Sequence, residues 1–324
     1  MNRREVIRLA AAIAAYPAVA RAQPTVRPQR LGVLALSPRT LENLHPAFLP
    51  ELARLGFVEG QNLELDFRPG PEAELPRLAD EIVRGGADVI LAIASHAAGA
   101  AQARTSTVPI VMFGGEDAII EGFATTLARP GSNVTAVVIL STQLEPKRLN
   151  LLHDAAPAAR RIAALLYEDR HAGSERQADE LRRAATALGL DLQIVQTRRR
   201  EDFPLAFAAM QAHGAEALLI GAHALLFSHR EELAALALRA GLPTVCEWAT
   251  MARDGCLLGY GPNRDLLYRI AAMKVARLFR GAAPGDLPIE QPASFTFAIN
   301  LATARALGLT ISPLLLARAD EVIE

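Results

Sequence analysis

The sequence predicts an α/β protein of two similar, Rossmann-like lobes, each built on a parallel sheet, and three observations carry that prediction. Short aliphatic runs alternate with longer helical stretches from Arg30 onward, the pattern of βαβ units whose parallel strands are covered on both faces. The same order of elements starts again after the helical stretch 144–156. The halves also share letters: GADVILAIASHAAGAA (86–101) lies against GAEALLIGAHALLFS (214–228), and each runs on to a proline-led strand, VPIVMF or LPTVCE.

Taken in order, RLGVLAL (30–36) is a strand by its apolar run, and PAFLPELARLGF (46–57) is a helix that closes at Gly56. NLELDF (62–67) alternates with period two, ELPRLADEIVRGG (74–86) is helical with a glycine stop, and ADVILAI (87–93) is a strand buried on both faces. A helix AAGAAQAR, a strand VPIVMFG, a helical stretch near 117–128 and a strand NVTAVVIL complete the first lobe. In the second, strands ARRIAALLY (159–167), DLQIVQT (191–197), AEALLIG (215–221) and LPTVC (242–246) alternate with helices ending near 189, 213 and 240. CLLGY follows as a strand, then a 16-residue helix after GYGPN. GAAPGDLPIEQPAS is a Pro/Gly-rich crossover, and FTFAINLATARALGL reads as strand then helix. A chain that returns to both lobes makes a hinge.

The N-terminus reads as an export signal. Arg3, Arg4 and Arg8 form a basic region, Leu9–Ala20 is too short an apolar run to span a bilayer, and Ala20-Arg21-Ala22 is a small-x-small end. Cleavage after Ala22 leaves residues 1–22 as a signal peptide; Arg3-Arg4 leaves both general and twin-arginine export open. The formal charge of −1 argues against nucleic acid or anionic membrane as a partner. Cys246 and Cys256 are read as free buried thiols, because neighbouring parallel strands would separate their Cα atoms beyond the disulfide limit of about 7 Å.

Export, two lobes and a hinge point to a receptor that closes on a solute. Several stretches carry a resemblance: ELARLGFVEGQNLELDFR (51–68), LARPGSNVTAVVIL (127–140), KRLNLLHDAAP (147–157), LLIGAH (218–223), LPTVCEW (242–248), LLGYG (257–261) and the tail INLATARALGLTISPLLLARADEVIE. In this order the chain resembles the ABC-transporter substrate-binding family typified by the tryptophan/tyrosine-binding component of bacterial uptake systems. The resemblance implies a type I periplasmic-binding-protein fold with two flavodoxin-like lobes joined by three crossovers. Lobe 1 would be residues 29–138 plus 262–291, and lobe 2 residues 139–261 plus 292–324. It further implies a periplasmic monomer that hands a small organic solute to an ABC permease of the inner membrane. A ligand sensor feeding a membrane receptor is the alternative.

Ligands of open α/β sheets bind beyond the carboxyl ends of the strands, where helix N-termini present free N–H groups. Strand ends therefore name candidates. The first lobe offers Ser37, Ser95-His96 with the amide of Ala97, and Glu116-Asp117, with Glu121 on the same acidic rim. The second offers Tyr167-Glu168, His223, Glu247-Trp248 and Tyr260, with Phe227 close by. Ser95 stands where a helix cap is expected, so its hydroxyl either caps the helix or meets a ligand. The resemblance implies a ligand carboxylate at Ser95, His96 and Ala97. Glu116, Asp117 or Glu247 would meet an ammonium, and Phe227, Trp248 and Tyr260 would cover an apolar side chain. His96 and His223 hold equivalent places, but no His-x-x-x-His or Cys-x-x-Cys accompanies them, so neither metal nor cofactor is expected. No nucleophile elbow, phosphate loop or dinucleotide fingerprint is present, and both cysteines lie in one half, which argues against an enzyme.

Overall fold

A computed structural model describes residues 27–44, 46–115, 118, 119, 121–140, 142–168 and 172–324. The expected signal peptide (1–22), Glu116 and Asp117 lie outside them.

The first sheet holds β1 (Gln29–Ala35), β2 (Leu63–Pro69), β3 (Val89–Ile93), β4 (Ile110–Phe113) and β5 (Val134–Val137), all parallel in the order 2-1-3-4-5. Its helices are α1 (Thr40–Leu44), α2 (Phe48–Arg54), α3 (Leu75–Arg84) and α4 (Ser95–Gln102). Strand residues alternate between the two covered faces. Leu34, Ile90, Ala92, Ile110 and Met112 pack under α3 and α4, while Leu31, Val33, Val89, Leu91, Val111 and Phe113 face α2. That alternation is why the strands are apolar throughout rather than at every second residue.

The second lobe carries α5 (Glu145–Ala155), β6 (Arg161–Tyr167), α6 (Ala172–Ala187), β7 (Asp191–Thr197), α7 (Phe203–His213), β8 (Ala217–Ile220), α8 (Ala224–Ser228), α9 (Arg230–Arg239), β9 (Thr244–Cys246), α10 (Ala249–Arg253) and β10 (Leu258–Pro262). Counted from β6, these strands repeat the 2-1-3-4-5 order. The chain then returns to the first lobe as α11 (Arg264–Phe279), whose Leu267, Tyr268, Ala271 and Val275 join the core beside α2. Residues 282–290 run back along β5, where Glu290 bridges Val137. The third crossing leads to β11 (Phe295–Asn300), which pairs antiparallel with β10, and then α12 (Leu301–Ala306), α13 (Pro313–Leu316) and β12 (Glu321–Ile323). Two flavodoxin-ordered lobes and three crossings give the type I fold that the resemblance implied.

Three local expectations need correction. The stretch 117–128 is not a helix: its described residues form turns, with Phe123 N and Ala124 N both donating to Ala118 O and Gly122 at φ +80°. β5 stops at Val137 rather than running to residue 140, where Leu140 turns at φ +53°. The cysteines are free and fully buried, but their side chains are neighbours. β10 starts only at Leu258, so Cys256 lies in the turn before it, beside Cys246. Burial and the adjacent Cys256 thiol hold the Cys246 thiol well above its ordinary range.

Candidate functional site

In a 2-1-3-4-5 sheet the strand order reverses between the first and third strands, and the crevice lies beyond their carboxyl ends. In the first lobe that point falls between Ala35 and Ile93, so it is edged by Ser37, Arg39 and Ser95-His96. In the second it falls between Tyr167 and Ile220, so it is edged by Tyr167 and His223. The two crevices face each other. The His96 and His223 rings are 6.5 Å apart at 75°, and Tyr167 lies flat on His223 at 3.7 Å and 4°. Glu72, in the turn after β2, joins the groups: its carboxylate accepts from Tyr167 Oη at 3.4 Å and stands 3.8 Å from His96 Nε2.

His223 caps α8 with its side chain, Nδ1 accepting from Leu225 N at 3.1 Å. Ser95 does not cap α4. The cap is Ala94, at φ +78° and ψ 159°, with no side-chain cap bond, and Ser95 is the first helical residue. A non-glycine residue in that region costs about 1–3 kcal/mol, a strain concentrated where ligands are handled. It is held by Ala94 N donating to Phe113 O and Ala94 O accepting from Ala98 N. The Ser95 hydroxyl is thereby released from the capping role expected of it. Ala97 is fully buried, leaving only its backbone to meet a ligand. Gly115, at φ +83°, lies between two of the candidates. A Cβ there would stand 2.6 Å from Ser95 Oγ and 3.3 Å from Glu121 Oε2, so the bare backbone brings hydroxyl and carboxylate close together. Ser37 serves its own turn, its Oγ accepting from Arg39 N at 3.3 Å.

The three aromatics do not form one wall. Trp248 is 5% exposed and packs in the core cluster that also takes Cys246 and Met251. Tyr260 belongs to the opposite face of the second sheet, stacked on Phe295 at 6.0 Å and edge-on to Phe297 at 6.3 Å. Side-chain alternation about the sheet separates them. Phe227 has two guanidiniums over its ring, Arg230 at 4.6 Å and Arg264 at 4.5 Å. Glu247 is buried at 4% exposure.

Beneath the second crevice lies a buried polar layer that the sequence reading missed. Glu145, fully buried, accepts from Gln177 Nε2 at 2.6 Å and from Ala222 N at 3.1 Å, fixing the backbone that presents His223. Arg148, also fully buried, donates from Nε to Tyr260 O at 2.7 Å and from Nη2 to Glu247 O at 3.4 Å. Both lie on α5, in the stretch EPKR near the start of the helical stretch 144–156. Glu72, Arg39 and Arg264 were missed as well. Only their places at the ends of β2, β1 and β10 could have marked them.

Among the described residues no group of three or more His, Cys, Asp or Glu is placed to hold a metal ion, and no helix is long and apolar enough to cross a membrane. Hydroxyl, imidazole, phenol and carboxylate groups line the two facing crevices.

A family model described as ABC transporter substrate binding protein matches residues 37–323. A tyrosine-binding protein of Clostridioides difficile (strain R20291) is 23% identical over 274 residues, covering 83% of this chain and 78% of that protein. A solved ABC domain from Streptococcus pneumonia in complex with L-Trp is 22% identical, covers 91% of this chain and 100% of its own, and superposes with a TM-score of 0.81. A conserved domain protein from Vibrio cholerae is 24% identical with the same coverage and a TM-score of 0.82.

Proposed function

The chain belongs to the family of ABC transporter substrate-binding proteins, and from that membership we propose that it is the periplasmic solute receptor of an uptake system, closing its lobes on a small carboxylate-bearing, amino-acid-like or aromatic solute. The observation that carries the reading is the opposition of the two crevices, with Ser95, His96 and Glu72 on one side and His223 and Tyr167 on the other. The names of the tyrosine-binding relative and of the L-Trp complex support the solute class.

In this reading the first lobe is 29–138 with 262–291 and the second is 139–261 with 292–324. The solute carboxylate meets the Ser95 hydroxyl and the first amides of α4, where the helix dipole favours an anion. Glu116, Asp117 or Glu247 takes an ammonium, and the Tyr167 and His223 rings give an aromatic solute a surface to stack on. The exported chain acts as a monomer beside a permease and does no chemistry; differential affinity for the closed state drives the motion. Calorimetry with L-tryptophan and L-tyrosine, each against its carboxamide, tests this. The acid should bind and the amide should bind poorly; equal binding of acid and amide, or no binding of either, would sink the carboxylate assignment.

A further inference from the structure

The lobes also touch through side chains at the rim of the facing crevices. Arg264 opens α11, just after the second crossing, and belongs to the first lobe. Its guanidinium stands over the ring of Phe227 in the second lobe at 4.5 Å and over Tyr268 of its own lobe at 5.3 Å. Tyr268 in turn lies flat on Phe113, the last residue of β4, at 4.2 Å and 5°. Beyond Phe227, Arg230 stands over the same ring at 4.6 Å and pairs with Asp254. Phe113, Tyr268, Arg264, Phe227 and Arg230 thus make one run of stacked groups from the end of β4 to α9. A second link lies beside it. Arg39, in the loop after β1, donates from Nη1 to Ser228 O at 2.8 Å, with Nη2 3.6 Å from Glu231 Oε1. Two first-lobe arginines therefore grip residues 227–231 of the second lobe.

The position of Arg264 is informative by itself. A cation in the first turn of a helix meets the positive end of its dipole, and among the described residues no carboxylate forms an ion pair with Arg264. What holds the guanidinium there is the pair of rings, one from each lobe. We propose that Arg39 and Arg264 form a latch: positioning residues that stabilise the closed form and raise solute affinity without touching the solute. The inference rests on the reading that the lobes close on a ligand. A contact made only in the closed form increases the fraction of binding-competent molecules, and apparent affinity rises in proportion. It also gives Phe227 a role other than the solute-covering one that its sequence position implied.

The test compares wild type with R39A/R264A and with Phe227→Leu, which keeps apolar volume but removes the ring. Scattering without solute should show a larger radius of gyration for both variants, with melting temperatures within a few degrees of wild type. The variants should bind L-tryptophan about tenfold more weakly, mainly through faster dissociation, as expected when two surface contacts of this kind are lost. Radii and dissociation rates equal to wild type in folded variants would overturn the latch. If wild type did not bind L-tryptophan, the solute reading would fail, while the solute-free scattering comparison would still decide the latch.

Discussion

Replacing Lys274 with methionine should abolish a pH dependence of folding stability that wild type shows on the alkaline side. Lys274 is 5% exposed on α11, where its Nζ donates to Pro288 O and stands 3.3 Å from Thr135 Oγ1 and 4.0 Å from Glu290 Oε1. It ties the helix to the strand and to the segment that leads into the third crossing. Burial pushes its pKa down from 10.5 to about 8, against the pull of Glu290. Below pH 8 the amine is charged in both states, and the folded chain carries the cost of desolvating it. Between about 8 and 10.5 only the unfolded chain holds the proton, so stability rises with pH and the gain is complete above that window. The difference of 10.5 − 8 in pKa corresponds to about 3 kcal/mol at 1.36 kcal/mol per unit. Methionine keeps the apolar stem and removes the titration. Urea unfolding of both proteins at half-unit steps from about pH 7 to 10 measures the effect, and subtraction cancels the other lysines, the tyrosines and the thiols. The stability of wild type relative to K274M should climb through the window by the larger part of about 3 kcal/mol. A difference that stayed flat with pH would refute the reasoning and place water or a mobile side chain at the amine.

Gly261→Ala would put a Cβ 2.0 Å from the Glu247 carbonyl oxygen, a backbone atom that also accepts from Arg148. It should destabilise by about 1–3 kcal/mol or more in chemical denaturation, and an unchanged midpoint would contradict the close packing of β10 on residues 247–248. Because Ala94 rather than Ser95 occupies the cap of α4, Ser95→Ala should leave stability within about 0.5 kcal/mol while costing roughly ten- to a hundredfold in solute affinity. A large stability loss with unchanged affinity would return Ser95 to a structural role. The buried thiols of Cys246 and Cys256 should resist a maleimide in the native protein and both react after unfolding. An intact mass two daltons low would reveal a bridge instead.

Local periodicity governs the part of the fold that is legible along the chain. Continuous apolar runs such as ADVILAI and AEALLIG, each followed by a helical stretch, require a doubly covered parallel sheet, and their repetition requires two lobes. Strand ends can likewise be read along the chain, which is how Ser95, His96, Tyr167 and His223 become candidates. The tertiary structure alone decided which of those ends meet and what else meets them. Glu72 and Arg264 are ordinary charged residues in their own neighbourhoods; only the facing of two lobes brings Glu72 to Tyr167 and Arg264 to Phe227. Tyr260 and Trp248 are both near strand ends, yet side-chain alternation sends them to opposite faces of one sheet. Ala94 carries no letter that marks a left-handed cap. Its φ of +78° goes together with a long-range bond, Ala94 N donating to Phe113 O on the neighbouring strand, and the cap position falls on it rather than on the serine beside it.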